Sequence, residues 1–201
     1  MTAPSDTKGI CLGLTGGIGC GKTTVGALLE AQGWSFVETD SLVRKLLSSN
    51  SDVIKALKAR WGGEILDDTG SIDRSAVAGR VFSDAKELSW LESILHPLVR
   101  AQWLKLQSDS PDSNWVIEVP LLYEKSLEKH FDLIVCIYSS MDLIANRMAE
   151  RGFSREAVES RSRQQLNLLD KVRRSHYVID NTGSLEFLKL QLDNLSTKLK
   201  L

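Results

Sequence analysis

The chain has 201 residues, 42% of them apolar and 25% charged, with a formal net charge of -1. That length holds one domain with a good core, or a core plus an insert. The near-neutral balance excludes a global attraction to nucleic acid or to an anionic membrane, and the longest uninterrupted apolar run, Leu133 to Tyr138, is far short of a bilayer span. The opening Met1-Thr-Ala-Pro-Ser-Asp-Thr-Lys8 is polar and lacks the apolar centre of a secretion signal. Cys11, Cys20 and Cys136 form an odd set without metal-ligand spacing, which fits reduced thiols in a cytoplasmic protein.

The first apolar run, Ile10 to Thr15, reads as a buried strand. It leads into Gly16-Gly-Ile-Gly-Cys-Gly-Lys-Thr-Thr24, which places Gly16, Gly21, Lys22 and Thr23 at the fixed positions of the phosphate-loop pattern G-x-x-x-x-G-K-[ST]. Val25, Leu28 and Leu29 then fall on one helical face. The glycines let backbone N–H groups crowd around phosphate oxygens, and the following helix start favours negative charge. Lys22 can reach the β- and γ-phosphates and the Thr23 hydroxyl can ligate Mg²⁺. The expectation is a site for a nucleoside triphosphate, ATP with Mg²⁺, lined by Gly17, Gly19, Cys20, Gly21, Lys22, Thr23 and Thr24. Cys20 at a helix start also raises the expectation of a thiol with lowered pKa and redox sensitivity.

A second strand over Trp34 to Glu38 is followed by a helix carrying Leu42, Val43, Leu46 and Leu47. Asp40 therefore stands at the carboxyl end of a strand, where ligands bind in open α/β sheets. An N-cap role fits that position equally well. Arg44, four residues on, shares its helix face.

From about residue 49 to 110 apolar residues recur at helical spacing, broken at Gly62-Gly63, at Asp67-Asp-Thr-Gly70 and at His96-Pro97. A helical insert between the second and third strands is expected. Asp67-x-x-Gly70 reads as a turn, and Trp61, Trp90 and Trp103 read as core of the insert. Pro97 restricts its predecessor away from the helical region, so His96 is expected to mark a helix break, as a structural group or a ligand contact.

Trp115 to Val119 forms the third strand. Within it Glu118 is a carboxylate in an apolar run, costly unless exposed or partnered. It fits either a sheet-edge position or a Walker-B-like partner of Mg²⁺-bound water. The fourth strand, Asp132 to Tyr138, is apolar from Leu133 onward, as for a strand covered on both faces. Arg147, Arg151, Arg155, Arg161, Arg163, Lys171, Arg173 and Arg174 follow, with Glu150, Glu156, Glu159 and Asp170 as the acids of the segment. This arginine bias points to a phosphate-clamping lid. The fifth strand, Tyr177 to Ile179, ends at Asp180-Asn-Thr-Gly183, and a closing helix carries Leu185, Leu188, Leu192, Leu195 and Leu199. Alternating strands and helices give a mainly parallel sheet with right-handed crossovers.

From Leu14-Thr-Gly-Gly-Ile-Gly-Cys-Gly-Lys-Thr-Thr24 to Val178-Ile-Asp-Asn-Thr-Gly183 the chain resembles the dephospho-coenzyme A kinases. Thr39-Asp40 with Arg44, Gly70-x-x-Asp-Arg74, Leu91-x-x-x-Leu95-His96-Pro97, Val119-Pro-Leu-Leu-Tyr-Glu124, Arg147 with Arg151, and Arg161-x-x-x-Gln165 carry the likeness between those ends. The resemblance implies an α/β P-loop kinase, a three-layer fold with about five parallel strands. Its core would cover residues 8–48, 111–145 and 175–201, with a helical acceptor-binding insert over about 49–110 and a lid over about 146–174. It implies ATP-dependent phosphorylation of the ribose 3′-hydroxyl of dephospho-coenzyme A. Asp40 would orient that hydroxyl and take its proton, with Lys22, Arg147 and Arg151 serving the transferred phosphoryl. Arg44, Arg74, His96, Pro97, Leu121 and Arg161 would line the acceptor side, and Asn181 the adenine. Cys20, Thr39, Ile144 and Ser175-His176 depart from the residues common in the family. Another small-molecule or nucleoside monophosphate kinase, or a non-catalytic ATP-binding switch, are the alternatives. No oligomeric state follows from the sequence.

Overall fold

The computed structural model describes residues 8–199. The chain divides into two compact units, one formed by its residues up to Glu38 together with those from Ser110 onward, the other by Thr39–Asp109. The helical unit thus begins at Thr39 rather than near residue 49.

In the first unit the strands are β1 (Cys11–Gly16), β2 (Ser35–Glu38), β3 (Trp115–Glu118), β4 (Leu133–Tyr138) and β5 (Tyr177–Asp180). They form one sheet in the order β2-β3-β1-β4-β5, and every pairing is parallel. Helices α1 (Lys22–Ala31), α6 (Met141–Ala149), α7 (Arg155–Arg163), α8 (Leu168–Arg174) and α9 (Leu185–Lys198) belong to it. Register aligns Leu12 with Val116 and Leu14 with Val135. These residues share a core with Val25 and Leu29 of α1 and with Leu188, Leu192 and Leu195 of α9. On the opposite face Gly13 leaves room for Phe131 and Leu122, and α8 packs against β1 and β4. The chain moves from β1 to one side of the sheet, through β2 and β3, and later to the other, through β4. The carboxyl end of β1 is therefore the point where strand order reverses, the usual ligand crevice of such sheets. β3 lies between β2 and β1, so Glu118 is an interior residue, 4% exposed, and its sheet-edge reading is corrected.

The second unit consists of α2 (Thr39–Ser49), α3 (Ser51–Trp61), a 3₁₀ turn (Gly62–Ile65), α4 (Arg74–Ser83) and α5 (Ala85–Asp109). The Asn50 side chain caps α3 by accepting from the N–H groups of Asp52 and Val53. Asp67 Oδ1 accepts from the N–H groups of Thr69 and Ser71, which makes the Asp67–Gly70 stretch a turn. Trp61 and Trp103 are buried. Trp90 meets Trp61 edge to face at 5.1 Å and lies under the Arg60 guanidinium.

The expected helix break at His96-Pro97 does not occur. α5 runs through Pro97, although a proline there removes the N–H that would bond Ser93 and costs about 3 kcal/mol. Leu91 and Leu95 before it, and Val99 and Trp103 after it, are all buried along one stripe. Burial worth about 1.5–3 kcal/mol for each large apolar side chain outweighs that local cost. Among the described residues no helix is long and apolar enough to cross a membrane.

Gly13 offers the sharpest test of this packing. A Cβ there would stand 2.8 Å from Phe131 Cγ and 2.9 Å from Leu122 Cδ1. Gly13→Ala should cost about 1–3 kcal/mol of unfolding free energy through overpacking, read from the denaturant midpoint. An unchanged midpoint would contradict the contact.

Candidate active site

Gly16 ends β1, and the loop that follows turns directly into α1. Gly21 is left-handed, with φ of 92°, and serves as the N-cap of α1. A Cβ at Gly21 would lie 2.3 Å from Asn181 Nδ2, so both the backbone angle and the space require glycine. The α1 N-terminus presents backbone N–H groups at the carboxyl end of β1 and suits an anion. Lys22 is 8% exposed, and its ammonium donates to the Gly17 carbonyl at 2.9 Å, folded along the loop.

A second group of residues holds the loop from below. Asn181, directly after β5, donates through Nδ2 to the Cys20 carbonyl at 2.8 Å. Its own carbonyl accepts from Arg147 Nη2 at 2.9 Å and from the Ser139 hydroxyl at 3.2 Å. Arg147 Nη1 also donates to the Ser139 oxygen at 3.1 Å. Arg147 and Asn181, expected at the phosphoryl group and the adenine, are thus joined to each other and to the loop backbone. Ser139 was not anticipated. Its position at the carboxyl end of β4 is the signal that points to it.

Glu118 ends β3 in register with Leu14, and its Oε1 accepts from the Thr23 hydroxyl at 3.4 Å. A hydroxyl and a carboxylate side by side are oxygen donors of the kind that suits Mg²⁺. That ion takes one or two protein oxygens and leaves the rest of its shell to water and phosphate.

The expectation for Cys20 is overturned. Its side chain is fully buried, and burial pushes the thiol pKa up, against the opposing charge of Lys22. Burial likewise drives Cys136 up, to about 12.

The cation-rich segment also reads differently once folded. Lys171 is completely buried and paired with Glu124 at 2.9 Å. Arg174 pairs with Glu128, Arg173 with Asp170 at 2.8 Å, and Arg155 and Arg163 both with Glu159. Glu124 and Glu128, outside the segment, supply partners beyond its own Glu159 and Asp170. Arg161 stacks over Phe153 at 4.4 Å, and Arg151 follows α6 in the turn before α7. Leu121 lies in the turn after β3.

In the helical unit Asp40 occupies the first turn of α2, where the helix dipole favours a carboxylate. Arg44 and Arg74 line one cavity of about 420 Å³ together with Lys45, Leu47, Ser48 and Ile72. Lys45 adds a third cation there that was not anticipated from motifs. His96 and Pro97 lie along α5 and are not among that cavity's lining residues. His96 Nε2 stands 4.0 Å from Glu92, one turn back.

A parallel sheet with a glycine loop and lysine at the carboxyl end of its reversing strand defines a P-loop nucleotide-binding fold. Shikimate kinase from Bacteroides thetaiotaomicron shares the fold, with a TM-score of 0.55 at 15% identity over 96% of this chain and 99% of that one. The family is more specific. The model described as dephospho-CoA kinase matches residues 10–186. The dephospho-CoA kinase of Aquifex aeolicus is 35% identical over 176 residues, covering 87% of this chain and 90% of that protein. The solved structure of TT1252 from Thermus thermophilus superposes with a TM-score of 0.83 at 34% identity, covering 96% and 99% of the two chains. This chain belongs to the dephospho-CoA kinase family.

All three cysteines are buried thiols outside any disulfide. Native protein at pH 8 should therefore leave them almost unreacted with Ellman's reagent over minutes, and denatured protein should titrate all three. Rapid labelling of Cys20 in the native protein would contradict its burial.

Proposed function

We propose that this chain transfers the γ-phosphoryl group of ATP to the ribose 3′-hydroxyl of dephospho-coenzyme A, giving coenzyme A and ADP. The observation that carries it is the loop from Gly16 to Thr24, with Lys22 and the helix start in place, inside a chain matched to the dephospho-CoA kinase family over residues 10–186. Phosphoryl transfer asks a protein for positioning and positive charge more than for covalent chemistry. The backbone from Gly17 to Thr24, including Gly19, Cys20 and Gly21, binds the phosphates. Lys22 neutralises charge at the β- and γ-oxygens. Thr23 would hold Mg²⁺, and the Glu118 carboxylate beside it would support the ion's shell. When bound, that ion supplies further charge neutralisation at the phosphates.

Asp40 orients the acceptor hydroxyl and accepts its proton as the new P–O bond forms. Its assignment rests on the family motif and on its place two residues beyond β2. Arg44 and Arg74 hold the anionic part of the acceptor from the cavity they share, and His96, Pro97 and Leu121 complete the acceptor side. Arg151 and Arg161 belong to a lid beginning near residue 146, which shields the transferred group from water, while α8 stays on the sheet. Arg147 and Asn181 act on ATP through the loop they support, with Asn181 next to the nucleotide's base. The buried reduced thiols suit a cytoplasmic enzyme.

A general base contributes about 10²–10⁴-fold to rate. Asp40→Asn should lower kcat by that order while KM for ATP stays within about twofold. The check is coenzyme A formation, with AMP, CMP and dTMP run beside dephospho-coenzyme A as acceptors. A wild-type rate in Asp40→Asn would remove Asp40 from the mechanism, and preference for a nucleoside monophosphate would replace the acceptor.

A further inference from the structure

Lys171 is the one charged side chain among the described residues with no exposed surface. A methionine would fill its place without the cost of removing an ammonium from water, so what the lysine reaches matters. Its Nζ donates to the Pro120 carbonyl at 2.7 Å and lies 2.9 Å from Glu124 Oε1. Each acceptor has a second donor. Pro120 O also accepts from the Thr15 hydroxyl at 3.4 Å, and Thr15 immediately precedes Gly16 of the phosphate loop. Glu124 Oε1 also accepts from the Leu166 N–H at 2.8 Å, where the arginine-bearing stretch runs into α8. Glu124 Oε2 is buried without a hydrogen-bond partner, which leaves the lysine as the charge that compensates this carboxylate.

The rest of α8 is fastened to the same turn. The Ser175 hydroxyl donates to the Lys171 carbonyl at 2.8 Å and meets the Tyr123 hydroxyl at 2.8 Å. Arg174 stacks over the Tyr123 ring at 4.3 Å. The stretch carrying Arg151 and Arg161 is therefore held at both ends by networks that lead to the phosphate loop. On the α6 side the path runs from Arg147 through Asn181 to the Cys20 carbonyl. On the α8 side it runs from Leu166 through Glu124, Lys171 and Pro120 to Thr15.

We infer that Lys171 is a positioning residue for phosphoryl transfer: with Glu124 it fixes the α8 end of the arginine-bearing stretch to the base of the phosphate loop. The inference rests on the kinase activity proposed above. Loosening this anchor leaves ATP binding to the loop intact but misplaces the arginines over the transferred group and admits water. The consequence is slower transfer and ADP released without coenzyme A.

Two variants separate positioning from stability. Lys171→Met leaves Glu124 buried and uncompensated, so its melting temperature should fall. Lys171→Met/Glu124→Gln removes both charges and keeps an amide oxygen for the Leu166 N–H, so most of the lost stability should return. In both, kcat for coenzyme A formation should drop at least about tenfold, with KM for ATP within about threefold of wild type. The ratio of ADP released to coenzyme A formed should rise above unity. A double variant that regains wild-type kcat and a ratio of unity together with its melting temperature would make Lys171 purely structural and overturn the inference. Lys171→Met with wild-type kcat and ratio would do the same. Wild-type protein that forms no coenzyme A would instead overturn the activity, and with it everything built on that activity.

Discussion

The backbone carbonyl of Cys20, held at 2.8 Å by the Asn181 amide, is the contact on which the site depends. A phosphate loop must turn several N–H groups toward one point, an arrangement that a free chain abandons for entropy. Glycine at Gly21 makes the turn sterically possible, but it also makes the loop cheap to disorder. Asn181 offsets that from outside the loop. It comes from the end of β5, and its own carbonyl takes donors from Arg147 and Ser139. The carboxyl ends of β4 and β5 thus brace the loop that leaves β1.

Buried charge follows the same logic. Glu118, Lys22 and Lys171 are all buried, and each lies within two steps of the loop: Lys22 on the Gly17 carbonyl, Glu118 on the Thr23 hydroxyl, Lys171 on the Pro120 carbonyl that Thr15 shares. Desolvated charges are expensive. Their concentration around one loop marks where polar chemistry is done, while the faces of the sheet are packed with leucine, isoleucine and valine. The surface ion pairs of the arginine-rich stretch, such as Arg173 with Asp170, carry little energy by comparison.

What could be read from sequence was local in cause. The phosphate loop announces itself because its glycines, lysine and helix start fall within nine consecutive residues. The inner strands β1, β3 and β4 were legible because burial on both faces demands apolar runs, and the ends of all five moved by no more than a residue. Pro97 was misread because its local preference is real but loses to buried Leu91, Leu95, Val99 and Trp103 on either side. Cys20 was misread because a helix start lowers a thiol pKa while burial raises it, and burial is a tertiary fact. Lys171 read as one more cation of the phosphate-clamping segment. Its partners lie 51 residues away at Pro120 and at Glu124, a separation no window of sequence displays. The family likeness supplied what spacing could not, the acceptor and the role proposed for Asp40.

The proposed reaction sends the γ-phosphoryl group of ATP to one hydroxyl of one acceptor. Wild-type protein incubated with ATP, Mg²⁺ and dephospho-coenzyme A, with the product resolved by mass and by ³¹P NMR, tests it most directly. The expected products of that reaction are a single new phosphomonoester on the ribose 3′-hydroxyl and one ADP for each coenzyme A. ADP formed at the same rate with and without dephospho-coenzyme A, and no new phosphomonoester, would contradict it.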